Sequence, residues 1–256
     1  MSKRRILILI PARFASTRFP GKPLVEISGK SMIRRVLENC SRAKLDEFDF
    51  ESFVVTDDQR IEDHVKTFSP NVVRVDEEVI SGTLRIELAY ERFFKNKNFD
   101  LIINVQGDEP LLQSSELEAL AKFHLNSAFD IATLIKKQSG FDGDFLDSNK
   151  VKVVLDENSG RAFYFSRSSI PFKRDSTPSS EMDYWFLHIG VYSYRPKALS
   201  QFAKASETRL ENLEKLEQLR ALELGLSIGA LPTDRLVIGV DSPADVKKVE
   251  EVLNVR

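Results

Sequence analysis

The chain has 256 residues, a formal net charge of −2 and a single cysteine. Hydrophobic residues make up 42% and charged residues 30%. That apolar mass excludes a disordered chain, and one cysteine excludes a disulfide scaffold or a cysteine-rich zinc module. A sequence pI near 6.0 argues against nucleic acid as a partner.

The first element is Ile6–Ile10. The run is apolar, but its five residues fall short of the roughly 7–15 of a signal segment and the about 20 of a membrane span. It reads as a buried parallel strand, which places the protein in the cytoplasm with no membrane insertion. A Pro- and Gly-punctuated loop follows from Pro11. Ile33, Val36, Leu37 and Cys40 then recur at helical spacing, which makes Cys40 a core filler. Phe53–Thr56 predicts a strand, Ile61, Val65 and Phe68 a helix, and Val72–Val75 another strand. Ile86, Ala89, Tyr90 and Phe93 give a helical face. Asp100–Val105 is a buried strand. Ser115 with Glu118 reads as a capping box opening the next helix.

Ile131–Ile135 predicts one more strand. Val151–Leu155 and Ala162–Phe165, joined by Asp156 to Gly160, read as a β-hairpin. Phe186–Tyr194 is a strand, and Pro196 suits a first helical turn. Leu210, Leu213, Leu216 and Leu219 predict one long amphipathic helix through Arg220. Ser242-Pro243 opens the last helix, with Asp245 at its third position. Strands alternating with helices imply an α/β fold, a mostly parallel sheet covered on both faces. The stretch from about 151 to 195 breaks the rhythm and is expected as an antiparallel extension. The expectation is one domain over residues 1–256, with that extension as a surface between subunits.

Ligands of α/β sheets bind at the carboxyl ends of strands. Three such places carry charge. The loop Pro11 to Pro23 holds Arg13, Arg18 and Lys22 beside Ser16, Thr17 and Gly21, a set suited to a polyphosphate. Asn104 to Pro110 sets Asp108 next to Gly107 at a strand end. Gly239 to Pro243 repeats the pattern of strand, acid and helix start around Asp241. Asp108 and Asp241 are each open to a capping role or to Mg²⁺, which takes one or two carboxylates plus phosphate oxygens. Two acids and a basic loop on one sheet edge fit metal-assisted nucleotidyl transfer. There is no G-x-G fingerprint, no H-E-x-x-H and no G-x-S-x-G. His64 and His124 lie in charged helical surroundings and are expected at the surface. His188 and Tyr192, four apart on a strand, share one face.

Residues Ile10 to Leu24 resemble the signature loop of CMP-Kdo synthetases, the 3-deoxy-manno-octulosonate cytidylyltransferases. Further matches follow in order along nearly the whole chain. They are Ser81-Gly82-Thr83 with Arg85, Asn104 to Pro110, Tyr164 to Arg167, His188 to Tyr192, Leu216 to Arg220, and Gly239 to Pro243. The resemblance implies a Rossmann-like nucleotidyltransferase, a homodimer using CTP and Mg²⁺. It would transfer CMP to the anomeric hydroxyl of Kdo, releasing pyrophosphate, for lipopolysaccharide synthesis. By this likeness Arg13, Arg18 and Lys22 hold the triphosphate, and Ser81, Gly82, Thr83 and Arg85 lie against the nucleotide. Asp108 and Asp241 bind Mg²⁺, so Arg13, Lys22, Asp108 and Asp241 form the catalytic set. Gln106, Arg167, His188, Tyr192, Glu217 and Gln218 line the sugar pocket. Val79, Leu84 and Leu187 depart from the family's usual His, acid and basic residue. The same reaction on 8-amino-8-deoxy-Kdo is the nearest rival, with Glu211, Glu214 and Glu217 available to an ammonium. A non-catalytic nucleotide or sugar sensor is the rival of a different class.

Overall fold

The structure, a computed structural model, describes residues 3–15, 19–79, 81–174, 184–235 and 238–254. Backbone contacts divide the chain into two compact units, Met1–Ala121 with Leu236–Arg256, and Lys122–Arg235.

The first unit opens on β1 (Arg4–Ala12), a small hairpin β2 (Glu26–Ile27) and β3 (Lys30–Ser31), and α1 (Met32–Cys40). It continues through β4 (Phe48–Thr56), α2 (Gln59–Lys66), β5 (Val72–Arg74), α3 (Gly82–Ala89), β6 (Leu101–Val105) and α4 (Ser114–Leu125), whose last turn enters the second unit. Four strands lie in the order β5-β4-β1-β6, all parallel. Ile6 through Ile10 are fully buried, because a parallel strand covered on both faces has no solvent side. All five strongly apolar positions of α1, ending at Cys40, are buried as its periodicity requires. Burial also pushes the Cys40 thiol pKa well up, so it is an inert core filler. β4 begins five residues earlier than expected. Its polar start is paired in register with β1, and Arg5 reaches Glu51 at 2.6 Å.

The cap of α4 differs from expectation. Glu116, not Glu118, folds back, accepting the Gln113 N–H at 3.0 Å, so the helix opens at Ser114. Glu118 instead accepts the Lys44 N–H at 2.9 Å.

The second unit holds β7 (Ile131–Ser139), β8 (Lys152–Asp156), β9 (Arg161–Ser166), β10 (Tyr184–Tyr194), α5 (Pro196–Lys204), α6 (Arg209–Glu214), α7 (Gln218–Glu223) and β11 (Ile228–Pro232). Its strands run β10-β7-β11-β9-β8, and β10 also pairs with β8, which closes the five into a ring. β11 and β7 are parallel, and the other pairs are antiparallel. The expected hairpin is β8–β9, with Gly160 at φ 74 in its turn. The single long helix from Leu210 is instead two short ones. Lys215 takes the left-handed conformation at φ 52 and ends α6 after Glu214. Glu211 folds back at the start of α6 and accepts the Thr208 N–H at 3.1 Å. The chain then returns to the first unit as α8 (Pro243–Asn254), where Asp245 accepts the Ser242 N–H at 3.0 Å and its hydroxyl at 2.8 Å.

His124 is not at the surface. It is fully buried, its Nε2 donating to the Phe129 carbonyl at 3.0 Å and its Nδ1 accepting from the Ser193 hydroxyl at 2.8 Å. Both ring nitrogens are satisfied by the neutral form, and burial pushes the pKa down to about 4. His64 is half-buried against the Ser31 hydroxyl at 2.7 Å. The folded pKa of His124 lies below the unfolded value, so between about pH 6.5 and 4 the unfolded chain binds the extra proton. Stability should therefore fall with pH in that window at up to about 1.4 kcal/mol per unit from this residue. Urea midpoints of His124→Gln against the parent should show a shallower acid slope; equal slopes would contradict the account.

Candidate active site

The loop after β1 is closed by backbone. The Gly21 N–H donates to the Phe14 carbonyl at 3.0 Å, and Gly21 turns at φ 72 before Lys22 and Pro23 enter a single helical turn. The turn sends the Lys22 ammonium to two carboxylates. Its Nζ lies 2.6 Å from Asp108 Oδ2 and 3.4 Å from Asp241 Oδ1. The lysine side chain is 15% exposed, against 30% for Asp108 and 56% for Asp241. Three segments distant in sequence thus meet at one ammonium.

The packing below explains the meeting. Val240 is fully buried in a cluster with Ile27, Met32, Leu111 and Val249, flanked by Phe19, Ile238 and Val246. Leu111 follows Asp108 by three residues, and Val240 precedes Asp241. Burying such side chains contributes roughly 1.5–3 kcal/mol each, so the apolar neighbours fix where the acids stand. The Val240 N–H also donates to the Asp108 carbonyl at 2.9 Å. Residues 238–241 are irregular chain, not the strand end expected before Asp241. What holds Asp241 is this cross-bond to the Asp108 loop.

A cavity of about 400 Å³ opens at the same place, lined by Arg13, Lys22, Gly82, Gln106, Gly107 and Asp108 among others. The sequence-predicted residues Arg13, Lys22, Gly82 and Asp108 are therefore together. Gln106, expected with the sugar, lines this cavity too. Ser81 caps α3, its hydroxyl accepting the Leu84 N–H at 3.2 Å, and Thr83 is buried. Arg85 is buried as well. It donates to Asp57 at 2.6 Å and to the Val75 carbonyl at 2.8 Å. Arg18 lies outside the described residues.

Glu109 is a residue that sequence reasoning passed over. Its Oε2 is buried with no hydrogen-bond partner. Burial first, and Asp108 second, push its pKa up to about 8, with Lys22 opposing. The only sequence signal was the adjacency of two acids, which does not say which one turns inward.

In the second unit, His188 Nε2 lies 3.0 Å from Thr133 Oγ1, whose own proton goes to the Val191 carbonyl at 2.8 Å. The imidazole is therefore the donor, and burial pushes its pKa down to about 3. Its ring is 5.3 Å from that of Tyr192, so the two share a side despite the bulge between Ile189 and Tyr192. Arg167 reaches the Glu214, Ser148 and Lys215 carbonyls at 2.7, 3.0 and 3.4 Å. Its carbonyl accepts from the buried Lys152 ammonium at 2.9 Å, and its N–H donates to Glu214 at 2.9 Å. Glu211 is committed to Arg220 at 2.8 Å, and Glu217 also pairs with Arg220, at 3.2 Å. Gln218 is buried beside them, with no partner for its Nε2.

Carboxylates sharing one cation are suited to a divalent ion as well. Asp108 and Asp241 approach the same point, which is the donor number Mg²⁺ takes from protein before phosphate and water complete its shell. Among the described residues no group of three or more His, Cys, Asp or Glu side chains is arranged around a metal position. Nor is any helix there long and apolar enough to cross a membrane.

Structural likeness defines the class first. The chain superimposes on a 4-diphosphocytidyl-2C-methyl-D-erythritol synthase from Anaerococcus prevotii at TM-score 0.62 and 13% identity, over 98% of this chain and 96% of the other. That likeness shows the nucleotidyltransferase fold. A structure of a CMP:2-keto-3-deoxy-manno-octonic acid synthetase complexed with CTP matches far more closely, at TM-score 0.87 and 33% identity, over 98% and 99% of the two chains. The family model for cytidylyltransferases matches residues 7–228. A 3-deoxy-manno-octulosonate cytidylyltransferase of Cytophaga hutchinsonii is 44% identical over 95% of this chain and 96% of its own. An 8-amino-3,8-dideoxy-manno-octulosonate cytidylyltransferase of Shewanella pealeana is also 44% identical, over 98% and 99%. The chain belongs to the cytidylyltransferase family, among the 3-deoxy-manno-octulosonate cytidylyltransferases.

The cavity wall allows no extra carbon at Gly107. A Cβ there would lie 2.9 Å from the Pro11 carbonyl oxygen, a backbone atom that cannot swing away. Gly107→Ala should therefore lower stability by about 1–3 kcal/mol, read from urea midpoints. An unchanged midpoint would mean that the β1 end is not packed against Gly107.

Proposed function

We propose that the protein transfers CMP from CTP to the anomeric hydroxyl of Kdo, giving CMP-Kdo and pyrophosphate. The observation that carries this reading is the Lys22 ammonium between Asp108 and Asp241 at the rim of a cation-lined cavity. The sugar hydroxyl oxygen forms a bond to the α-phosphorus and loses its proton. The bond from that phosphorus to the bridging oxygen breaks, and pyrophosphate leaves with the electron pair. There is no covalent work for the protein, so its contribution is positioning and charge.

Arg13 and Lys22 hold phosphate oxygens, and Arg18 is assigned with them from the sequence. Lys22 places a fixed cation where negative charge grows on the leaving group. Asp108 and Asp241 would hold Mg²⁺, which when bound neutralises the phosphates. Gly82 and Gly107 give the nucleotide close access to backbone, while Ser81, Thr83 and Arg85 support that wall. Gln106, Arg167, His188, Tyr192, Glu217 and Gln218 serve the sugar. Arg167 suits its carboxylate, and the neutral His188 and the buried Gln218 suit hydroxyls. We read residues 1–256 as one cytoplasmic nucleotidyltransferase domain serving lipopolysaccharide synthesis. We further read it as a homodimer through the antiparallel stretch 151–195, where Phe163 and Phe172 are 57% and 86% exposed. A monomer in sedimentation equilibrium would contradict the dimer.

The 8-amino sugar is a second reading, favoured by the Shewanella pealeana relative's equal identity. Glu217, 33% exposed, is the more accessible of the two acids on Arg220. Pyrophosphate release from CTP and Mg²⁺ with Kdo or its 8-amino analogue separates the readings. Kdo should support turnover, and a clear preference for the 8-amino sugar would replace it with the second reading. No release with either sugar would sink both. In the same assay Asp108→Ala should abolish turnover, and Lys22→Ala should slow it about 10²–10³-fold. Near-normal rates in folded variants would reduce these residues to structural caps.

A further inference from the structure

A second cavity in the first unit, about 350 Å³ in volume, is lined by Lys30, Arg35, Glu38, Arg42, Gln113 and Ser114 among others. It shares no lining residue with the cavity at Lys22. Its charges do not balance. Glu38 is the carboxylate in this wall, and three cations converge on it. Lys30 Nζ is 2.6 Å away, Arg34 Nε 2.8 Å and Arg42 4.0 Å. Burial opposes the ionised Glu38 carboxyl, but Lys30 and Arg34 more than compensate and hold its pKa down.

Arg35 stands apart from that cluster. Its guanidinium donates to the Ile27 carbonyl at 2.7 Å and to the Ser28 carbonyl at 2.7 Å. Carbonyl oxygens orient the fork without cancelling its charge. Glu250, the other acid that acts on Arg35, accepts the Ser28 backbone N–H at 2.9 Å. Among the described residues that line the cavity, the cations Lys30, Arg35 and Arg42 stand against one carboxylate, Glu38, in a chain whose net charge is −2. The opposite wall is the start of α4 at Gln113 and Ser114, where Glu116 caps the helix by accepting the Gln113 N–H.

We propose that this cavity binds a phosphate-class oxyanion carrying more than one negative charge. A monocarboxylate leaves part of the excess unmatched, whereas a phosphate group brings up to two charges and several acceptor oxygens. The Lys30 ammonium and the exposed Arg42 guanidinium are the groups that take such oxygens, and the carbonyl-held Arg35 adds its charge. The wall is also tied to the catalytic loop: Asn39 Nδ2 donates to the Pro110 carbonyl at 3.1 Å, and Pro110 is two residues from Asp108. The free pyrophosphate of the reaction and the phosphate of a nucleotide are two sources of the same chemistry.

Amide NMR of the full chain separates the two cavities. Gln113 and Ser114 report on this one, and Gly82 and Gly107 on the one at Lys22. Titrated inorganic pyrophosphate should move Gln113 and Ser114 saturably. The double variant Lys30→Ala, Arg42→Ala should weaken that response at least tenfold. Both side chains are well exposed, and an unchanged response at Gly82 and Gly107 verifies the fold. Competition by CMP at Gln113 would identify a nucleotide phosphate as the occupant. Its absence would identify the free anion, and either result supports the site. The proposal is overturned if Gln113 and Ser114 stay still while Gly82 and Gly107 respond. It is equally overturned if the double variant responds like the parent. Because the readout is binding at Gln113, it stands or falls apart from the sugar-transfer reading.

Discussion

One ammonium organises the first unit. Lys22 lies 2.6 Å from Asp108 and 3.4 Å from Asp241, partners separated from it by 86 and 219 positions. Without a cation at that point, two carboxylates and the buried Glu109 would crowd one another. Glu109 already has its pKa pushed up to about 8, and Lys22 is the group that opposes the shift. The same demand for positive charge suits a metal and a triphosphate, so the resting contact and the proposed chemistry draw on one electrostatic arrangement.

The arrangement stands on apolar packing. Val240, Leu111 and Met32 are buried in one cluster with Val249 of α8, and the Val240–Asp108 backbone bond crosses above it. The C-terminal helix therefore has a local task, to carry Asp241 back to the loop after β6. Charge fixes little by itself at half-exposed sites, because solvent screens it. Packing that leaves the acids one position to occupy makes their shared cation possible.

Much of this was legible in the chain. β1 and α1 follow from an unbroken apolar run and a 3.6-residue stripe, and α8 follows from Ser242-Pro243 with Asp245. Misreadings came where tertiary contacts outweighed local pattern. Lys215 is an ordinary helix former, yet it adopts φ 52 and splits the helix expected through Arg220. The charged neighbours of His124 suggested a surface, but its two ring nitrogens are satisfied inside the second unit by Ser193 and Phe129. The site was legible in part. The basic loop and two acids read onto one sheet edge pointed to phosphate and metal, but that reading assumed a strand before Asp241, where the chain is irregular. No local spacing encodes a contact across most of the chain. Asp57, which takes up the Arg85 guanidinium, carried no sequence signal beyond its place after β4.

The central claim is that Lys22 and Asp108 act as one unit. A double-mutant cycle on pyrophosphate release from CTP tests it directly, using Lys22→Met, Asp108→Asn and the pair. The account predicts strong non-additivity, a coupling above about 1 kcal/mol, with the double variant scarcely slower than the worse single one. Losses that simply multiply would show that the two side chains touch without working together, and would contradict it.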